Sequence, residues 1–315
     1  MLSDAGARAA RAGGCAVNTF PGRVVAARDA NLRGADGAVR PPRLGELLAK
    51  ALRRLGDAGD ARAFWSRLLK PGEKIGLKVN CLAGARLSTT PELVRAVVAS
   101  LGEAGIPSGD IVVWERTARE LKAAGLTART AGARCAGTDE AGGYETAIAT
   151  SGEVGSCLSR ILTRDIAVLI NIGVLKDHDL AGVSIGMKNL YGVLHNPNKY
   201  HDNTCDPYVA DAANLPVVRA KLRLTIADGT LAQCHGGPAF SPAHAWEYNG
   251  ILAGTDPVAV DRVGCEIIER RRKARGLPSL AEAARWPKWL ATAAAYGLGE
   301  ADLARVKVLE EGDGM

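Results

Sequence analysis

The sequence predicts an α/β protein, with mostly parallel strands flanked by helices and a ligand cleft at the carboxyl ends of the strands. Three observations lead there. Strand-like and helix-like stretches alternate along most of the chain. Lys74 to Trp114 reads as strand, helix, strand, the unit from which parallel sheets are built. The apolar run Ala167–Ile172 (AVLINI) reads as a buried parallel strand and feeds directly into the polar cluster Lys176, Asp177, His178 and Asp179.

At 315 residues the chain can form one large or two ordinary α/β domains. Residues 1–20 read as a disordered lead-in. An N-terminal α/β lobe is expected over residues 21–165, and a C-terminal lobe over 166–315 carries the central motif.

In order, Arg23–Ala27 is a short first strand, and Arg43–Leu55 repeats apolar residues at helical spacing (Leu44, Leu47, Leu48, Ala51, Leu52, Leu55). Ala61–Leu69 is a second helix, stopped by Pro71 and Gly72. Lys74–Asn80 is a strand with Ile75, Leu77 and Val79 on one face. Thr89 or Thr90 caps a helix whose first turn holds Pro91 and Glu92 and which runs to Gly105. Asp110–Trp114 is the next strand. Residues 115–165 carry a helix near Ala118–Ala124 and one or two edge strands. Ala181–Gly186 reads as a glycine-spaced helix start leading into Met187–Tyr191. Leu215–Arg219 is a helix, Leu222–Asp228 and Gly250–Gly254 are strands, and Asp256 caps a helix that runs to Arg275. Pro278–Tyr296 holds one or two more helices, and Val306–Leu309 is a last strand.

The composition argues against several classes of function. Net charge is +6, which favours anionic ligands weakly. Aromatic residues make up 4%, too few for the stacking platforms that bind single-stranded nucleic acid, so no nucleic-acid partner is expected. The basic run Arg270–Lys273 reads as a solvated helix end. The seven cysteines lack zinc-knuckle or ferredoxin spacing and read as free thiols of a reducing compartment. No apolar stretch reaches bilayer length and no apolar signal core opens the chain, so no membrane partner and a cytoplasmic location are expected. There is no Gly-x-Gly-x-x-Gly after a strand and no P-loop, hence no nicotinamide or nucleotide signal. No Gly-x-Ser-x-Gly elbow supports serine-hydrolase chemistry.

The chemistry concentrates in the central stretch. His178 is a candidate acid or base, Lys188 a candidate anion anchor or amine base, and Asp177 a neighbouring carboxylate, together the expected catalytic group. Lys78, Asn80, Ser88, Thr89, Lys176, Ser184 and Asn189 are the expected substrate contacts, with Ser88 and Thr89 equally readable as helix caps. His195, His201 and Asp206 carry ligand-type side chains for a divalent metal, although an asparagine-rich polar loop reads slightly better there. Asp228 at a strand end and His235 beside two glycines are further candidates, and Asp261 is expected to pair with a basic residue.

Three segments carry a resemblance: GLKVNCLAGARLSTTPELV, INIGVLKDHDLAGVSIGMKNLYGVLHNPNKYHDN and GTDPVAVDRVG. Over about residues 22–275 the chain resembles the uncharacterised family called domain of unknown function 362. Some relatives carry iron–sulfur ferredoxin inserts or export leaders, and this chain has neither pattern. A fainter similarity joins Lys176, His178, Ala181, Gly182, Ser184, Gly186 and Lys188 to a motif of nickel-pincer lactate racemases, although the racemase Asp-x-Thr-Arg loop is absent. The resemblance implies a shared fold more than a shared reaction. The expected function is proton-transfer or metal-assisted chemistry on a small anionic, carboxylate-like ligand, racemase- or isomerase-like. Two alternatives stand beside it: an iron–sulfur or other electron-transfer accessory protein, and a non-catalytic protein that binds a small anion or metal.

Overall fold

The computed structural model describes residues 18–313. Most of the expected lead-in, residues 1–17, lies outside the described residues. Residues 18–20 depart from that expectation, because the Asn18 side chain donates to Asp256 and the Phe20 N–H donates to Thr255.

In chain order the elements are β1 (Arg23–Arg28), α1 (Pro41–Gly56), α2 (Ala61–Leu68), β2 (Ile75–Val79), α3 (Pro91–Glu103) and β3 (Ile111–Glu115). Then come α4 (Ala118–Ala123), α5 (Ala128–Ala131), β4 (Arg134–Gly137) and the hairpin of β5 (Tyr144–Ser151) and β6 (Val154–Ser159). After these follow β7 (Val168–His178), β8 (Gly182–Val183), α6 (Tyr208–Asn214), α7 (Pro216–Lys221), β9 (Leu222–Gln233) and β10 (Ala245–Trp246). The chain closes with β11 (Gly250–Gly254), α8 (Pro257–Ala274), α9 (Trp289–Ala295) and β12 (Lys307–Gly312).

The main sheet runs in the order β12-β1-β11-β9-β7-β2-β3-β4. Along that path only β11 runs antiparallel to its neighbours, β1 and β9. The fold is therefore α/β with a mostly parallel sheet. The sheet also crosses the boundary expected at residue 165: β1 pairs with β11 and β12, and β7 pairs with β2. The expected division into two lobes is thus not a break in the sheet.

Both faces of the sheet are covered, which is why its central strands read as continuous apolar runs. Val168, Ile170 and Ile172 of β7 face one core together with the apolar stripes of α1 and α3. Leu169 and Leu175 face the other core, with α8, α6 and α9. The six apolar residues expected on α1 are all buried. Asp256 does cap α8, accepting the Ala259 N–H at 2.9 Å. Its second oxygen accepts the Gly22 N–H at 2.9 Å and the Glu300 N–H at 3.1 Å, so one carboxylate ties three distant segments together.

Three elements differ from expectation. Strand β7 continues through Lys176, Asp177 and His178, and β9 continues to Gln233, because their polar side chains find partners inside the fold rather than marking a loop. Ala181–Gly186 is not a helix start. Gly182, at φ +80°, turns the chain back so that β8 pairs with β7, and a 3₁₀ turn follows over Met187–Val193. The single α-helix of residues 278–296, α9, by contrast falls within the one or two expected there.

The return of the chain across β7 requires a glycine. A Cβ at Gly173 would lie 1.6 Å from the Ile185 carbonyl oxygen, which is backbone and cannot rotate away. Gly173→Ala should therefore lower stability by more than about 3 kcal/mol in urea unfolding. Gly45, inside α1 with open space around its Cβ position, is the contrast. Gly45→Ala should stabilise the chain by about 0.5–1 kcal/mol through helix propensity.

Candidate functional site

Strands β2 and β7 run parallel with Val79 opposite Ile172, so β7 extends well past the end of β2. The space above the shorter strand is a cavity of about 450 Å³. Lys78, Asn80 and His178 line it from the strands, and Ser184, Lys188 and Asn189 line it from the returning chain. His201 and Tyr191 close one side, and the exposed side chains of Leu82 and Leu180 stand at the mouth. The sequence expectation that Asn80 and His178 share one cleft agrees with this geometry.

Alternation along a strand separates the central cluster. Lys176 and His178 lie on the cavity side of β7. Asp177 points the other way, accepting the Gly237 N–H at 2.9 Å and lying 3.4 Å from the Arg285 guanidinium. Its expected place in the catalytic group is not where the structure puts it. Burial raises its pKa, against the Gln233, Gly237 and Arg285 contacts.

Polar side chains form the floor. Lys78 Nζ donates to Glu115 Oε1 at 2.6 Å and to the Val79 carbonyl at 2.6 Å. Glu115 also accepts the Cys81 N–H at 3.1 Å and the Arg116 N–H at 2.8 Å, so this buried ion pair has its spare lone pairs occupied. Asn189 accepts from Asn80 Nδ2 at 3.2 Å and donates to Asn171 Oδ1 at 2.8 Å, and Asn171 donates to the Gly186 carbonyl at 2.8 Å. Gly192 leaves room for the pair, since a Cβ there would lie 2.6 Å from Lys78 Nζ. Sequence reasoning missed Glu115, Asn171 and Tyr191. A polar residue at or inside an otherwise apolar strand is the signal that could have found the first two.

Two lysines are buried without a carboxylate within ion-pair distance among the described residues. Lys176 Nζ donates to Asn80 Oδ1 at 3.0 Å, to the Leu87 carbonyl at 3.3 Å and to the Pro238 carbonyl at 3.4 Å. Lys188 Nζ lies 3.1 Å from His201 Nε2 and 3.9 Å above the Tyr191 ring. Burial lowers both to about 8. Lys188 faces the cavity, whereas Lys176 lies behind Asn80.

The histidine protonation states follow from their partners. His201 Nδ1 lies 3.3 Å from the Asn198 carbonyl and donates to it, leaving the Nε2 lone pair for the Lys188 ammonium. His178 Nδ1 accepts the Leu180 N–H at 3.1 Å and the Ala181 N–H at 3.2 Å. Asp179 Oδ1 lies 3.0 Å from the same nitrogen, but a proton on Nδ1 would meet two N–H donors head on, and Leu180 N–H is shared with that carboxylate at 2.9 Å. Burial first, then Lys188, His201 and Lys176, lower His178 to about 2. The acid–base role expected of His178 is not one this surrounding supports near neutrality.

The remaining expected residues divide. Ser184 and Asn189 line the cavity, and Ser88 and Thr89 do not. Thr89 Oγ1 donates to the Ile172 carbonyl at 2.8 Å and accepts the Asn80 N–H at 3.0 Å, so it fixes the strand end rather than touching the cavity. Neither Thr89 nor Thr90 caps α3 through its side chain. Asp228 does that work from β9, accepting both the N–H and the hydroxyl of Thr90 at 2.8 Å. The three expected metal ligands lie apart: His195 packs edge-on against Tyr144, His201 contacts Lys188, and Asp206 accepts from Thr292 at 2.6 Å. Among the described residues no three His, Cys, Asp or Glu side chains converge. His235 sits beside Arg285, 3.3 Å away, outside the cavity lining.

Asp261, expected to pair with a basic residue, instead accepts the N–H groups of Gly186 at 2.7 Å and Met187 at 2.9 Å. It thereby anchors the 3₁₀ turn that carries Lys188 and Asn189. Burial pushes its pKa up to about 7, against the two hydrogen bonds.

A family model described as "Domain of unknown function (DUF362)" matches residues 75–266, more than half of the chain and all of the cavity lining. The chain belongs to that family. No curated protein matches it. Among solved structures, a structural-genomics crystal structure of a protein from Thermotoga maritima is similar at 12% identity and a TM-score of 0.41. The match covers 75% of this chain and 59% of the length of that one.

The Asp261 carboxyl makes a pH prediction. Its folded pKa of about 7 lies above the ordinary 3.8, so the folded chain holds a proton that the unfolded chain releases between those values. Its contribution to stability is full below the ordinary value and is lost as pH rises through about 7. Asp261→Asn, which cannot ionise, should lack this loss. Unfolding free energies of the two chains should diverge in the variant's favour by up to about 4 kcal/mol across that window. Parallel curves would show that Asp261 does not titrate there.

Proposed function

We propose that this member of the domain of unknown function 362 family is an enzyme that binds a small, carboxylate-bearing anion in the strand-end cavity and moves a proton in it. The observation that carries the reading is Lys188. It is a buried cation on the cavity wall, and among the described residues it has no carboxylate partner. Burying an unpaired charge is costly, and an incoming anion would supply the missing counter-charge. Held at about 8, Lys188 is also the cavity group placed to exchange a proton near neutrality. Asn80, Asn189 and Ser184 add neutral donors and acceptors around it. Racemase- or isomerase-type chemistry fits a reaction of this kind, since it needs only proton transfer.

The pH behaviour follows from the sign of the shift. Lys188 is lowered from 10.5 to about 8, so the folded chain binds fewer protons than the unfolded one between these values. Stability from this group is present above 10.5 and lost as pH falls through about 8, where the buried amine must charge. A bound anion offsets that loss.

The test is a thermal-shift screen of the whole chain against small carboxylates and inorganic phosphate. The shift given by a hit should be larger below about 8 than above it, where the ammonium is lost. Lys188→Met should weaken the hit's affinity by roughly ten- to a hundredfold, the loss of one charge-assisted contact of about 1.5–3 kcal/mol. Equal affinity in Lys188→Met would end the anion-anchor reading. Binding without any exchange of substrate protons with deuterated solvent would end the enzymatic one.

A further inference from the structure

We propose that His178 donates its Nε2–H to an uncharged oxygen of the bound anion, so that the cavity selects compounds with a carbonyl or hydroxyl oxygen near their carboxylate. The inference rests on reading the cavity as an anion site and adds the second group by which the ligand is recognised.

The argument is one of hydrogen-bond arithmetic. Two backbone donors, Leu180 and Ala181, occupy the lone pair of His178 Nδ1, and the one acid beside it, Asp179 with Oδ1 at 3.0 Å, shares the Leu180 N–H at 2.9 Å rather than taking a proton from the ring. A neutral imidazole carries one N–H, so it must sit on Nε2. Nε2 has no hydrogen-bond partner among the described residues, is not among the sealed-off buried atoms, and belongs to a ring that lines the cavity. A second proton would have to displace both backbone donors, beside the Lys188 ammonium. The ring therefore stays neutral and presents a fixed donor, the state in which imidazole polarises an oxygen without taking a proton.

Its position relative to Lys188 gives the ligand class. The His178 ring stacks on His201 with centroids 5.7 Å apart, and Lys188 Nζ lies 3.1 Å from the far nitrogen of His201. A cation and a neutral donor thus both contact a single imidazole and line the same cavity. A ligand that satisfies both has an anionic group for Lys188 and an acceptor oxygen a few atoms away for His178. A compound lacking that oxygen leaves the Nε2–H desolvated and unpaired, which is how a polar site rejects analogues.

Two measurements on the whole chain test this. Long-range proton–nitrogen spectra of histidine-labelled protein should show His178, assigned by loss of its signals in His178→Phe, as the Nε2–H tautomer from roughly pH 6 to roughly pH 9. An Nδ1–H tautomer, or an imidazolium at the lower pH, would overturn the proposal. Calorimetry should then compare butyrate with its α-oxo, α-hydroxy and β-hydroxy forms. At least one oxygenated form should bind about fivefold tighter than butyrate, the scale of one neutral hydrogen bond. His178→Phe, which keeps a ring to stack on His201, should erase that preference, so that no oxygenated form binds tighter than butyrate; a preference that survives in the variant would overturn the proposal. Equal binding of all four compounds would overturn the role of His178 while leaving Lys188 as an anion anchor. No binding of any of them to the parent chain would overturn this inference, while the thermal-shift screen and Lys188→Met decide the anion reading separately.

Discussion

The N–H groups of Gly186 and Met187 lie inside the protein, where no water can pair them, and the carboxylate of Asp261 accepts both. The cavity depends on that contact. The 3₁₀ turn it anchors carries Lys188 and Asn189, and Asn189 reaches from there to Asn80 and Asn171 on the two central strands. Gly186 must be a glycine for the carboxylate to approach so closely, because a Cβ there would lie 2.8 Å from Asp261 Oδ1. A residue in the first half of α8 thus sets the wall of a pocket formed by strands far away in the chain. Buried backbone polar groups have to be satisfied, and a single carboxylate that satisfies two of them has no cheap substitute.

Electrostatics around the cavity follow from three different answers to one problem, a lysine out of water. Lys78 is neutralised by Glu115. Lys176 is solvated by three neutral oxygens, which leaves its charge uncompensated and its pKa lowered by burial. Lys188 has an imidazole lone pair and the face of a tyrosine ring, a weaker solution that opens onto free space. Two acids near these lysines in the sequence or the sheet are committed elsewhere. Asp177 is on the opposite side of β7 with Arg285, and Asp228 is committed to Thr90 at the start of α3. The cavity lining as a whole carries as many acids (Glu115, Glu120, Asp179) as bases (Lys78, Arg116, Lys188), so the uncompensated charge is local to Lys188 and, behind Asn80, to Lys176.

How much of this was legible can be followed residue by residue. The apolar spacing of Leu44 to Leu55, the Pro91–Glu92 helix entry and the Asp256 cap are local patterns, and each element formed where its pattern lay. The stretch after Gly173 was harder to read. Lys176 to His178 read as a polar cluster beyond the apolar strand, yet they extend that strand, since each finds contacts that the local pattern does not contain. Ala181–Gly186 has the glycine spacing of a helix start, while Gly182 serves a reversal onto β7. Thr89 reads equally as site residue or helix cap and Asp228 as a site candidate, and the hydrogen bonds put both in support.

By itself, then, the sequence determined the α/β class, most of the strands and helices, the family, and the stretch in which the cavity residues lie. Period, capping and turn chemistry act over a few residues and leave their mark there. Only the tertiary structure decided which nitrogen of His178 carries the proton, which lysines keep a counter-ion, and that Asp177 faces away while His195 and Asp206 stand apart from His201. Each of those outcomes depends on which distant atoms come within about 3 Å of a buried polar group, the range over which hydrogen bonds and desolvation act. No local pattern in the chain records that distance.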